Sequence, residues 1–374
     1  MGNMERFPGA AKGPEQSRQE EPDEAVRVDV GESKRLPERA VDVEEAVGLI
    51  VPYGDQRFRD REKNFESGEA AYAYGNDVAE MVGVRHTNDP ESLMLKIVQA
   101  TRDDYLRNTP KEQAMFMVEG MYNRDGLEPE GLDGTLSGLA SESEAVKKFG
   151  EKGAMLWKAR EQGVEISSPE KPQNEIIAAL KEQGFSAEDL SLYLTMRQFT
   201  SEIGQPHPDS TPESAERDFT GMFMAIEEST GAGWISDATK AEIAAVRKTN
   251  DRAAQKAQVP KILSEFTSGL NGAFAKLPGM KGKALVPSLE ALVNRNEGVP
   301  EDKKIPISAV NAFHDPNERN GRTNEVSAAW NGERDTYIVQ QIAEAHARGK
   351  KPLVVYGGSH AIAVEPALKA LGGK

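Results

Sequence analysis

The chain has 374 residues, enough for one large domain or two ordinary ones, with a formal charge of −15 from 61 acidic and 46 basic side chains. It has no cysteine, which excludes disulfides, thiolate zinc, iron–sulfur clusters and a cysteine nucleophile. The acidity argues against a nucleic-acid partner, and no apolar run approaches the ~18 residues of a membrane span.

The first residues lack the apolar stretch of a secretory signal, so a cytoplasmic protein is expected. Residues 1–40 are rich in Glu, Pro, Arg and Gly with few large apolar residues, and a disordered acidic tail is expected there. Residues 41–69 read as a partly ordered linker, because Val47, Leu49, Ile50 and Val51 sit between charged flanks.

From residue 70 the pattern changes. Residues 71–74 read as a strand, and 78–84 as a second one ending at His86. A helix is predicted with Asp89 as N-cap and Pro90 at its first position, carrying Leu93, Ile97, Thr101 and Tyr105 at helical spacing. The apolar run Ala114–Val118 predicts a buried strand closed by Glu119. A helix is predicted over 143–162, ended by Gly163, then a short strand over 164–166 leading to Glu170. Residues 70–174 therefore read as the first half of an α/β core with a mostly parallel sheet.

Residues 175–305 read as a helical insertion or lid, with helix starts at Ser186, Thr211 and Ser236. The α/β pattern returns over 306–374. Arg334 is expected to open a helix that Gly349 closes. Residues 352–356 form the clearest strand, which runs into Gly357, Gly358 and His360, and a last helix is expected to begin near Pro366.

Three predicted strands thus end in a chemically active group: His86, Glu119 and His360, with Glu170 as a possible fourth. In open parallel sheets sites form beyond the carboxyl ends of the strands, so residues far apart in sequence converge there. Both histidines stand in a Gly-x-x-His frame, at Gly83–His86 and Gly357–His360. A glycine there would let the backbone turn off the strand and approach a ligand closely, which makes Gly83, Gly357 and Gly358 candidate ligand-binding positions. With no cysteine, any metal falls to His86, His360 and Glu119, with Glu170 as a further candidate, and zinc, manganese and iron suit such donors about equally. Each residue also has a plainer reading. The histidines could cap helices or fill the core, Glu119 could cap a turn, Arg334 could be a surface charge, and Glu170 could be structural. Of the other histidines, His346 reads as structural and His207 as a solvated loop residue, while His314 could reach the site. Tyr356 and Trp330 read as packing residues.

The paired Gly-x-x-His motifs, the strand-end Glu119 and the Arg334-Asp335 pair before the second motif resemble the TraB/TIKI, ChaN and erythromycin esterase superfamily. The resemblance covers roughly 70–170 and 310–374. It departs from the usual pattern at Ala361, where a leucine is common, and in showing no membrane anchor. It implies one site, whereas the family's reactions vary. The leading expectation is a metal-dependent hydrolase of an ester or amide bond in a small molecule or peptide. In that reading His86 and His360 bind metal or water, Glu119 is general base or metal ligand, and Arg334 meets the oxyanion. The alternatives are a non-catalytic binder of haem, metal or a small ligand, and a regulatory protein that works through its tail and helical insertion. Oligomeric state is not legible.

Overall fold

The computed structural model describes residues 41–67, 71–120, 132–203, 211–249 and 251–373. The expected tail over 1–40 and the loop at His207 lie outside the described residues.

Five strands form one sheet: β1 (Tyr72–Gly75), β2 (Glu80–Val84), β3 (Ala114–Val118), β4 (Glu165–Ser167) and β5 (Lys351–Gly357). Their order is β1-β2-β5-β3-β4. β1 runs antiparallel to β2 and every other pairing is parallel. The fold is therefore α/β, as the sequence predicts.

Fifteen helices surround or extend the sheet among the described residues. The first six are α1 (Val43–Val47), α2 (Gln56–Ser67), α3 (Leu93–Asn108), α4 (Leu132–Thr135), α5 (Glu142–Phe149) and α6 (Glu151–Gln162). Then come α7 (Gln173–Glu182), α8 (Ala187–Glu202), α9 (Pro212–Thr230), α10 (Asp237–Thr249), α11 (Arg252–Phe274), α12 (Leu289–Val293) and α13 (Ile307–His314). The last are α14 (Arg322–Ala347) and α15 (Gly358–Leu371). No helix among the described residues is long and apolar enough to cross a membrane.

Strand alternation divides the core into two layers. Phe116, Val118, Leu353 and Val355 pack with residues of α3 and α6 on one face. Met115, Met117, Val354 and Tyr356 pack with α14 and α15 on the other. A third core is wholly helical. It runs from Ile176 through α8, α9 and α11 to Val326 and Trp330 of α14. Helix α14 belongs to both cores: its first half holds Trp330 in the helical core, and its second half lays Ile338, Val339 and Ile342 on the sheet. Arg334 and Asp335 fall between those stretches, both buried.

The structure corrects several predicted elements. Asp89 does not cap α3. Its Oδ1 accepts from the Glu91 amide two residues on, and Ser92 caps the helix by accepting from Leu95 N. The buried face of α3 is accordingly Met94, Leu95, Val98, Arg102 and Tyr105, and Leu93 is 52 % exposed. The single helix expected over 143–162 is two, α5 and α6, broken at Gly150. Gly150 has φ 66° and ψ −153°, a region open essentially to glycine alone, and a side chain there would strike the Thr87 carbonyl at 2.9 Å. Arg334 lies mid-helix, because α14 already begins at Arg322, where Asn324 Oδ1 accepts from the Gly321 amide. Helix α15 begins at Gly358, directly after β5, and carries Pro366 inside it.

Gly83 and Gly358 act differently from expectation, whereas Gly357 lies among the site side chains. Neither Gly83, Gly357 nor Gly358 has positive φ. Gly83 lies within β2, where an added Cβ would stand 2.7 Å from Ala361 Cβ and 3.0 Å from Gly358 Cα. A Cβ on Gly358 would meet the Phe65 ring at 2.3 Å. These glycines let α15 press against the sheet and α2. The same contact calls for a small side chain at Ala361, which is fully buried.

Candidate functional site

Parallel pairing aligns the strand ends: Val84 of β2 opposes Gly357 of β5, and Val118 of β3 opposes Val355. His86 follows β2 by two residues, Glu119 follows β3 directly, and Glu170 follows β4 by three. All three therefore emerge at one edge, beside the first turn of α15 with His360. A Cβ built on Gly357 would lie 3.2 Å from Glu119 Oε2, 3.7 Å from His360 Cδ2 and 3.8 Å from His86 Nε2. The four residues named from the sequence thus share one space, and α14 delivers the fourth, Arg334.

The centre is an ion pair. The Arg334 guanidinium donates to Glu119 Oε1 at 2.7 Å, to Glu170 Oε1 at 2.9 Å and to the Tyr356 hydroxyl at 2.7 Å. Tyr356 in turn donates to Glu170 at 3.0 Å. The other oxygen of Glu119 accepts from the Gly357 amide at 2.8 Å.

The histidines flank this pair alike. His86 Nδ1 lies 2.5 Å from Glu151 Oε1, and its Nε2 lies 3.2 Å from Glu119 Oε2. His360 Nδ1 lies 2.6 Å from Asp335 Oδ1, and its Nε2 lies 3.0 Å from Arg334. Each ring is held at Nδ1 by a carboxylate and turns Nε2 toward the Glu119–Arg334 pair. Tyr53 adds a hydroxyl 3.1 Å from His360 Nδ1.

The charges follow from these contacts. A guanidinium only donates, so His360 Nε2 facing it carries a lone pair, and the ring proton sits on Nδ1 toward Asp335. Glu119 and Glu151 hold His86 as an imidazolium and lift its pKa from 6.5 to about 10, against the opposing effect of burial. Burial works to raise Glu119, but the His86 contact and the charge of Arg334 outweigh it and keep the carboxyl well below its ordinary range. Every hydrogen bond to Glu119 favours its carboxylate form. Burial opposes the Arg334 charge, yet Tyr356, Glu119 and Glu170 secure it.

These donors do not fit a resident metal. Among the described residues no group of three or more His, Asp or Glu is placed to hold one. The Arg334 guanidinium occupies the point between Glu119 and His360 where such an ion would sit, and a fixed cation 3.0 Å from Nε2 repels a second. With Nε2 engaged on both rings, neither histidine presents an uncommitted nitrogen to a haem iron.

His314 does not join the four. It stacks on Tyr193, with ring centroids 5.5 Å apart, in a cavity whose wall also includes His360 and Arg334. Glu151 and Tyr53 are not legible as site residues in the sequence, Asp335 is legible only as the neighbour of Arg334, and Tyr356 only as a packing residue. Glu151 stands 65 residues from His86 and Tyr53 stands 307 from His360, so no local spacing marks them. Comparison with protein-family models, with curated proteins and with solved structures found no match.

Proposed function

We propose that this protein hydrolyses an ester or amide bond in a small molecule or peptide by acid–base chemistry between two carboxylate-held histidines. The observation that carries this reading is that both Nε2 atoms meet one partly buried ion pair, His86 facing its carboxylate and His360 its guanidinium. A ring facing a carboxylate is placed to give a proton, and a ring nitrogen facing a donor is placed to take one. Water entering beside His360 replaces Arg334 as the partner of Nε2 and loses a proton to it while attacking the carbonyl carbon. The freed Arg334 N–H meets the developing oxyanion, where a preorganised cation out of bulk water is most effective. Collapse of the tetrahedral intermediate breaks the bond to the leaving group, which takes a proton from His86. The products are an acid and an alcohol or amine. Exchange with solvent then returns His86 to the imidazolium and His360 to the neutral ring. Glu119 holds His86 charged and Arg334 in place throughout.

The test is hydrolysis of a panel of aryl esters and amides by the purified protein, with and without a chelator. Turnover should survive chelation, and His360→Asn and His86→Asn should each lower kcat by about 10²–10⁴-fold. Wild-type rates in both variants would refute the assignment, and chelator-sensitive turnover restored by a divalent cation would replace it with a metal mechanism.

A further inference from the structure

A cavity of about 290 Å³ opens next to the site, and His360, Arg334, Arg197, His314, Ser327 and Tyr193 are in its wall. Two of its polar atoms are buried without a hydrogen-bond partner: Ser327 Oγ and His314 Nε2. Ser327 is fully buried. Leaving a buried hydroxyl or ring nitrogen unmatched costs about 1–3 kcal/mol, and such atoms in native proteins call for a ligand or water. Trp330 Nε1, on the next turn of α14 from Ser327, is likewise buried and unmatched. Arg197, reaching in from α8, has no carboxylate of the described residues within ion-pair distance, and its guanidinium lies 5.6 Å over the Trp330 ring. A second cleft, of about 570 Å³, shares Arg197 and Arg334 in its wall and adds Lys171.

We infer that this cavity is a substrate-recognition subsite in which Arg197 binds a carboxylate borne by the substrate, with Ser327 and His314 hydrogen-bonding the adjoining oxygens. The inference rests on the hydrolase reading for what lies at the reacting end. A carboxylate suits a single guanidinium, which can grip both oxygens at once. A phosphate dianion does not, because the same wall carries Glu62 and Asp315. These already accept from Asn317, at 2.8 Å each, and a second negative charge on the ligand would face them. His314 contributes as a neutral ring: burial first, then the charge of Arg197, lowers its pKa to about 4. Because His360 lines the cavity, a carboxylate seated on Arg197 places the rest of the molecule toward Nε2.

Two measurements on the intact protein test this. The first is calorimetric titration with succinate and, separately, with inorganic phosphate. Succinate should bind, and Arg197→Gln should weaken it at least about tenfold, the cost of one charge-assisted hydrogen bond. Ser327→Ala, which keeps the charge, should weaken it less. The second compares kcat/KM for the 4-nitrophenyl monoester of succinate with that for 4-nitrophenyl butyrate, which has the same acyl length and no charge. The wild type should prefer the anionic ester, and Arg197→Gln should reduce that preference at least about tenfold in the ratio of the two kcat/KM values. Succinate affinity unmoved by Arg197→Gln, equal loss on both esters, or phosphate binding more tightly than succinate would overturn the subsite. Arg197-dependent succinate binding without turnover of any ester would keep the subsite and dismiss the hydrolase reading. Turnover of butyrate without succinate binding would do the reverse.

Discussion

Replacing Glu151 by glutamine removes one of the two charges that hold His86 protonated while keeping an oxygen that can accept from Nδ1. In the wild type His86 titrates at about 10 rather than 6.5. Glu151 makes the shorter of the two carboxylate contacts, 2.5 Å against 3.2 Å for Glu119. One opposite charge at such range shifts a pKa by about 1–3 units. The His86 side chain is 58 % exposed, so solvent screening places the loss near the lower end, about 1–2 units. The assay is a proton NMR titration of the His86 ring, assigned by its disappearance in His86→Asn. Stability should follow in sign. A histidine whose folded pKa lies above its unfolded value stabilises fully below about 6.5 and loses that contribution as pH rises toward 10. Glu151→Gln should therefore cost most below pH 6.5, on the order of 1 kcal/mol after screening, and converge on the wild type in alkali. A variant that titrates with the wild type, or at higher pH, would refute the view that Glu151 sets the charge of His86.

Three further outcomes are expected. If His86 supplies the leaving-group proton, kcat should fall as pH rises through about 10, and Glu151→Gln should move that limb to lower pH; a limb that stays put would reassign the acid. The depressed Glu119 carboxyl contributes stability above its ordinary value of 4.5 that is lost as pH falls toward its folded value, so the gap in denaturant midpoint between wild type and Glu119→Gln should narrow below pH 4.5. Gly83→Ala drives a methyl to 2.7 Å from Ala361 Cβ and should destabilise by about 1–3 kcal/mol through overpacking. The double variant with Ala361→Gly should recover part of that loss in urea unfolding, and no recovery would refute the contact.

Sequence alone determined which residues end the strands. Ala114–Val118 and 352–356 are unbroken apolar runs long enough for a strand and too short for a helix, and the first polar residue after each run must lie at the sheet edge. Glu119 follows its run directly, and His86, Glu170 and His360 lie within a few residues of their strand ends, so all four were legible as neighbours because parallel strands share their carboxyl edge. Capping chemistry found Ser186 and Thr211, whose side chains close capping boxes, because a cap acts within four residues. The same rule misplaced the start of α3, where Asp89 and Ser92 both qualify and only packing of Met94 and Leu95 decides between them. It also missed the break at Gly150, where a side chain would strike the Thr87 carbonyl from another part of the chain. Arg334 was found for a reason that does not hold, since it sits mid-helix, between a helical core and a sheet core that meet only in the folded molecule. What each histidine does was equally beyond the sequence. The partners of each ring decide its role, and for His86 those are Glu151 and Glu119, while for His360 they are Asp335 and Arg334. The carboxylates and the guanidinium arrive from separate helices and strands, so the division between a ring facing a carboxylate and a ring facing a guanidinium exists only once the sheet edge and α14 have closed around it.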